Sequence, residues 1–199
     1  MPHEPIQIKH PEPLAELFRL LVSGRHLNRA ADAALWVALE RNQADYGALF
    51  EALGFALHVD GRGFAFFDSE EGSAQLTQNS RKLALLFLVL FDTQADAGQA
   101  LGRFEDWLID RELLEHACEQ HQEILQAEGM DADGLAEVLG IAVRYGFARS
   151  EGGGWRLLPA VCRYLDHFEA LAAECRAEQG EDDDFEAEDD PRGGANEEE

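Results

Sequence analysis

The sequence predicts a mainly α-helical protein with small β-hairpin wings, and three observations carry that prediction. A pattern occurs twice: Gly54-Phe55-Ala56 followed by Gly61-Arg62-Gly63 and Phe64, and Gly146-Phe147-Ala148 followed by Gly152-Gly153-Gly154 and Trp155. Each copy follows a stretch with apolar residues at helical spacing, so each reads as a helix stopped by glycine, a short strand, a tight turn and a second strand. Beyond Gln179 the chain is rich in Glu, Asp and Gly with little to bury, which predicts a disordered acidic tail.

Taken in order, the elements fit that scheme. After the prolines Pro2, Pro5, Pro11 and Pro13, residues Leu14, Leu17, Phe18 and Leu21 form the stripe of a helix over 12–23, stopped by Gly24. A second helix, capped by Asn28 or Asp32, carries Leu35, Trp36 and Leu39. A third begins at Asp45 with Tyr46, Leu49, Phe50 and Leu53 on one face. Gly54 ends it, and Leu57 and Val59 alternate with His58 and Asp60 before the turn that leads to Phe64-Ala65-Phe66, a two-stranded wing. Three helices and a hairpin in this order make a winged-helix unit, with a helix-turn-helix in its second and third helices.

Residues 68–80 are polar and read as a loop leading into an apolar helix over 78–92. Leu83 to Phe91 is apolar on every side, so this spine, with Leu86 and Val89 at its middle, is expected to be covered all round, between the units or in a subunit interface. A linker over 93–99 and a helix over 100–109 with Leu101, Phe104, Trp107 and Leu108 follow. The second unit continues with a helix over 111–128 and one from the Asp131 cap carrying Leu135, Val138, Leu139 and Ala142. Its wing spans 147–158, and Pro159 opens a last helix to about 176. The expected division is therefore a first winged-helix domain at 12–70, a connecting helix and linker at 71–99, a second winged-helix domain at 100–176 and the tail at 177–199.

The charge narrows the function. The formal net charge is −24, and 46% of residues are apolar, enough for real cores. Residues 177–199 hold twelve acidic groups and one arginine, yet what precedes them is still strongly acidic. Tight autonomous binding of a phosphate backbone needs Lys and Arg that release counterions, and this balance argues against it. The candidate reading helices bear this out locally: 45–53 offers Asp45 and Glu51 without a cation, and 131–145 offers Asp131, Asp133, Glu137 and only Arg144. Arg19, Arg25 and Arg29, with Arg81 and Lys82 beside the spine, are the candidates for holding a DNA backbone presented by partners; alternatively they balance nearby carboxylates. The wing arginines Arg62, Arg149 and Arg156 stand as single surface charges.

Catalytic and metal chemistry finds little support. Cys118, Cys162 and Cys175 are odd in number and form no Cys-x-x-Cys pair, which points to a reducing, cytoplasmic setting. His116 and His121 stand five apart, not the four that stack two imidazoles, and no His-Glu-x-x-His is present. The acidic run Glu181–Asp184 lacks the alternation of a calcium loop, and the triple glycine precedes a strand, whereas a phosphate cradle precedes a helix. No Gly-x-Ser-x-Gly occurs. No enzyme, cofactor or metal is expected. The nine-residue apolar run Leu83–Phe91 is half of the ~18 that suggest a membrane span.

The arrangement resembles the MukE/MksE-type subunits of bacterial condensin complexes, of the kleisin-interacting tandem winged-helix group. The resemblance rests on Leu17-Phe18-Arg19-Leu20-Leu21 followed by Gly24, on Ala34-Leu35-Trp36, and on Leu53-Gly54-Phe55-x-Leu57-x-Val59-Asp60 leading into Gly63-Phe64-Ala65-Phe66. It covers residues 12–176, and small size and an acidic tail bring the chain closer to the MksE branch. The resemblance implies a non-enzymatic, nucleoid-associated subunit that dimerises chiefly through its first unit and grips extended segments of a kleisin of the MksF/MukF kind. The kleisin joins an SMC-like ATPase of the MksB/MukB kind, and the assembly organises and segregates chromosomes or defends against plasmids.

The leading hypothesis is thus a condensin accessory protein whose partner adds a strand to a wing edge or lays a helix in a groove. Its contact candidates are Trp36, Phe64, Phe66, Phe67, Leu86, Val89, Trp107, Trp155 and Leu157, each of which the core also claims. A transcriptional regulator that reads DNA through its winged helices is the alternative of another class, and an ScpB-like segregation subunit is a third. The tail would repel DNA or compete for basic surfaces.

Overall fold

The computed structural model describes residues 11–68 and 74–185. Pro2, Pro5, part of the 68–80 loop and the acidic tail from 186 onward lie outside the described residues. The chain divides at Cys162 into a larger unit and a smaller one that starts at Arg163.

The larger unit opens with α1 (Pro11–Val22), β1 (Leu27–Asn28), α2 (Ala33–Arg41) and α3 (Gln43–Ala52), and continues with β2 (Ala56–Asp60) and β3 (Phe64–Asp68). The Leu17–Leu21 stripe of α1 closes on Trp36 and Leu39 of α2, Tyr46 and Phe50 of α3, and Leu27 and Ala65 of the sheet. Each fully buried Leu or Phe in such a core contributes about 1.5–3 kcal/mol. Asp32 stands at the N-cap of α2, but its carboxylate turns back to accept from the Asn28 N–H at 3.2 Å and from Arg25 at 3.0 Å. α3 begins at Gln43 and not at Asp45, which falls in its first turn, and Leu53 is its C-cap.

β1 extends the expected hairpin to three antiparallel strands in the order β1-β3-β2, with Leu27 opposite Ala65 and Asn28 opposite Phe64. Two residues are too short a strand to announce themselves by alternation.

The apolar helix α4 runs Ala74–Asp96, past the expected 78–92, so Thr93 and Gln94 of the expected linker are helical and buried. Its burial is also less complete than an all-round apolar run suggests: Leu83, Leu86, Phe87, Val89 and Leu90 are buried, whereas Leu88 is 48% exposed. Residues 101–106 form a 3₁₀ helix in place of the expected α-helix, and Ile109 makes a β-bridge to Trp155. The i, i+3 spacing of Leu101, Phe104 and Trp107 suits a 3₁₀ turn as well as an α-helix. The single helix expected over 111–128 is two, α5 (Arg111–Gln120) and α6 (Gln122–Ala127), divided at His121.

α7 (Ala132–Tyr145) has the expected cap, with the Asp131 carboxylate accepting from the Gly134 N–H at 2.8 Å, and ends at Gly146 with φ 77°. β4 (Ala148–Glu151) and β5 (Gly154–Leu157) form the second hairpin, and a 3₁₀ turn over Pro159–Val161 leads into α8 (Cys162–Phe185). In the smaller unit α8 is a continuous helix, with Tyr164 and Phe168 one turn apart at 6.4 Å between ring centroids and Leu171 exposed. It enters the stretch 177–185 that was expected to be disordered.

α4 packs against α5 and α7, and α5 against α7, burying Leu86, Leu114, Leu135 and Leu139 together with Leu157 of the hairpin. The order helix, short strand, helices, hairpin therefore recurs: α1, β1, α2, α3, β2, β3 in the first half, and α4, the Ile109 bridge, α5 and α6, α7, β4, β5 in the second. The helix expected as a connector, α4, packs against α5 and α7 of the second half.

The repeats meet along the first sheet. His26 donates its backbone N–H to the Tyr145 carbonyl at 2.9 Å, and its Nδ1 lies 2.9 Å from the same oxygen, which fixes Nδ1 as the protonated nitrogen. Asn28 Nδ2 donates to the Gly146 carbonyl at 2.8 Å, and the His26 ring stands 4.4 Å from Phe147. β3 also packs on the Pro159–Val161 turn, which is why Phe64, on the sheet face turned from the first core, is wholly buried.

Candidate protein-binding surface

Six of the nine apolar residues proposed as contacts are core. Trp36, Phe64, Leu86, Val89, Trp107 and Leu157 are all buried within this single chain. Trp36 lies beneath the Arg29 guanidinium, 5.1 Å from its ring centroid. Trp107 packs 4.9 Å from Phe91 of α4. Phe66, Phe67 and Trp155 remain half-buried.

Phe67 belongs to a cluster that opens between α1 and the first hairpin. The half-buried Phe18, Phe55 and Phe67 have ring centroids 5.4, 5.0 and 6.0 Å apart pairwise, over the buried Phe50. Phe66 faces the other way, between His58 at 5.2 Å and His26 at 5.4 Å. Trp155 lies opposite Ser150 and exchanges backbone hydrogen bonds with Ile109 at 2.8 and 2.9 Å.

Among the described residues, the exposed large apolar side chains are others: Leu53 (56%), Val22, Val37 and Leu88, with Leu101, Leu108, Ile124 and Leu171. Val22 lies just off the stripe of α1, whereas Leu53, expected on the buried face of the third helix, is instead its C-cap and is exposed. Periodicity separates Val22 from the core but not Leu53, which the end of α3 leaves outside the helix.

The candidate DNA-contacting cations are largely committed to carboxylates. Arg25 pairs with Asp32 at 3.0 Å, Arg29 with Glu40 at 3.1 Å, and Arg81 with Glu128 at the end of α6. Arg19 donates to the Ala15 carbonyl at 3.0 Å, one turn back along α1, and Lys82 is half-buried. The hairpin arginines follow the same rule: Arg62 with Asp60, and Arg149 and Arg156 both with Glu151, each at 2.7 Å. Surface pairs of this kind contribute about 0–1 kcal/mol to stability, but they cancel positive potential where a phosphate would have to approach. Arg62 holds the Asp60 carboxyl below its ordinary range by hydrogen bonding to it.

Reactive groups are scattered. Burial, and next the Asp131 carboxylate, push the Cys118 thiol up and keep it protonated, which is the wrong state for a nucleophile. Cys162 is buried and Cys175 exposed. Cys118 borders a cavity of about 350 Å³ that Gln122, Leu125, Met130 and Asp131 also line. Among the described residues, no three His, Cys, Asp or Glu side chains gather as a metal set, and no helix is long and apolar enough to cross a membrane. Gly152 and Gly153 form the β4–β5 turn, both at positive φ.

What the surface offers is therefore apolar edges and strand backbone. The family described as condensin complex protein MksE matches residues 12–169, a span that holds both repeats. No curated protein matches the chain.

Proposed function

The chain belongs to the family of condensin complex protein MksE, and from that premise we propose that it is a non-catalytic subunit of a bacterial SMC-like condensin that dimerises and binds the kleisin. It works at the nucleoid, reaching the SMC-like ATPase and DNA through the kleisin, in chromosome organisation and segregation or in defence against plasmids. The carrying observation is the match across residues 12–169, which takes in both helix-and-hairpin repeats. The paired arginines support a protein partner over a phosphate backbone, since a bound duplex must first displace Asp32, Glu40, Glu128 and Glu151. Each repeat is read as a winged-helix unit, the second led by α4.

Co-expression with the kleisin of the same condensin tests the reading: a complex that survives size-exclusion chromatography is expected, and separate elution of the two proteins refutes it. Tight sequence-selective binding of duplex DNA by the isolated chain, measured by fluorescence anisotropy, would instead establish a transcriptional regulator.

A further inference from the structure

In the smaller unit, the second half of α8 has no cover. Residues 169–177 are exposed on every face, Leu171 by 44%, and the helix runs on to Phe185. A helix of this length is marginal in water unless an apolar face is packed on something. Its end adds to the burden. Gly180 lies in the helix interior, and Glu181–Asp184 set four carboxylates at the C-terminal end, where the helix dipole favours cations.

The uncovered half nevertheless carries a stripe. Phe168, Leu171 and Cys175 stand at i, i+3 and i+7, the spacing by which a helix anchors in an apolar groove. Phe168 is half-buried, with its ring 6.4 Å from that of Tyr164, and Cys175 is exposed. From 169 to 185 the one cation is Arg176. The surface that completes this helix is therefore apolar beneath the stripe and cationic beyond it. In an assembly that handles DNA, cations at such density belong where phosphates are held.

We propose that α8 docks by its Phe168–Leu171–Cys175 stripe on the cationic DNA-holding surface of the condensin's ATPase, with Glu181–Asp184 standing where DNA phosphates bind. The inference rests on the condensin reading and adds a direct contact to it. Local charge selects this occupant over a second copy of the helix: two α8 helices joined along the stripe set two Glu181–Asp184 runs side by side.

The condensin assembled from the full chain, its kleisin and its ATPase supplies the test. Labelling of Cys175, followed by mass spectrometry of its peptide, is expected to slow about tenfold on assembly, with Cys118 of the same chain as the unchanged reference. Cys175 that reacts as fast in the assembly as in the free chain overturns the docking. Leu171→Gln, which leaves the charge unaltered at an exposed position, is expected to tighten DNA binding by the assembly about threefold, and Asp182→Asn, Asp183→Asn and Asp184→Asn together to do the same. Unaltered DNA affinity in both variants overturns the competition with phosphate, and a gain from the aspartate changes alone overturns the apolar stripe. A chain that never enters the assembly refutes the condensin reading itself.

Discussion

Gly146 approaches His26 so closely that a Cβ placed on Gly146 would fall within 3.0 Å of the His26 carbonyl oxygen. Its counterpart in the first repeat, Gly54, has open space around the same position, although both have positive φ. Gly54→Ala therefore meets only the left-handed backbone cost, about 1–2 kcal/mol. Gly146→Ala adds a steric clash against backbone and is expected to cost about 3 kcal/mol or more. Urea denaturation of the two variants measures the difference, and equal losses would refute the packed seam.

The exposed Leu88 amid a buried run makes a second contrast. Leu86→Ala is expected to lose about 2–5 kcal/mol, because it empties a site on the fully buried side of α4. Leu88→Ala, two residues on, is expected to stay within about 0.5 kcal/mol in the isolated chain. Thermal unfolding of both variants checks the helix face.

Thiol chemistry should separate the three cysteines. Cys175 is exposed, Cys118 is half-buried with its thiol pushed up by burial and Asp131, and Cys162 is buried. An aromatic disulfide reagent at mildly alkaline pH is expected to label Cys175 first, Cys118 slowly, and Cys162 only on unfolding. Cys175→Ser should abolish the fast phase.

Asp60 accepts from the Arg62 side chain at 2.9 and 2.7 Å and from its backbone N–H at 2.8 Å, and its pKa lies below the ordinary value. A carboxyl lowered in the folded state adds stability above its unfolded pKa and loses it as pH falls through the folded one. Asp60→Asn is therefore expected to lose about 0.5–1 kcal/mol at neutral pH, a gap that closes only once the pH drops beneath the ordinary aspartate range. Carboxyl titration by NMR gives the shift directly, and a midpoint at or above the ordinary value would refute the pairing.

Much of the fold was legible because its helices carry full stripes and its punctuation is strong. Leu14, Leu17, Phe18 and Leu21 place α1, Asp131 caps α7, and the glycines of both hairpins mark their turns. What escaped was short or long-range. β1 and the Ile109 bridge are one or two residues each, and they are strands only because β3 and Trp155 lie beside them. The break at His121 has neither glycine nor proline to announce it. The surface was less legible still. Phe64 and Trp107 look like contacts by composition, yet the second repeat covers the one and α4 the other. Whether an aromatic is inside depends on which faces the repeats turn toward each other, and no local pattern records that.

Since α4 gives the second repeat its own leading helix, a polypeptide severed between Asp68 and Ala74 leaves two pieces that each keep a complete set of elements. The pieces should nonetheless be poor soloists: parting them strips Phe64, His26 and Phe147 of cover and leaves the carbonyls of Tyr145 and Gly146 without their donors. Produced together from separate genes, the halves are expected to find each other and restore a single cooperative transition.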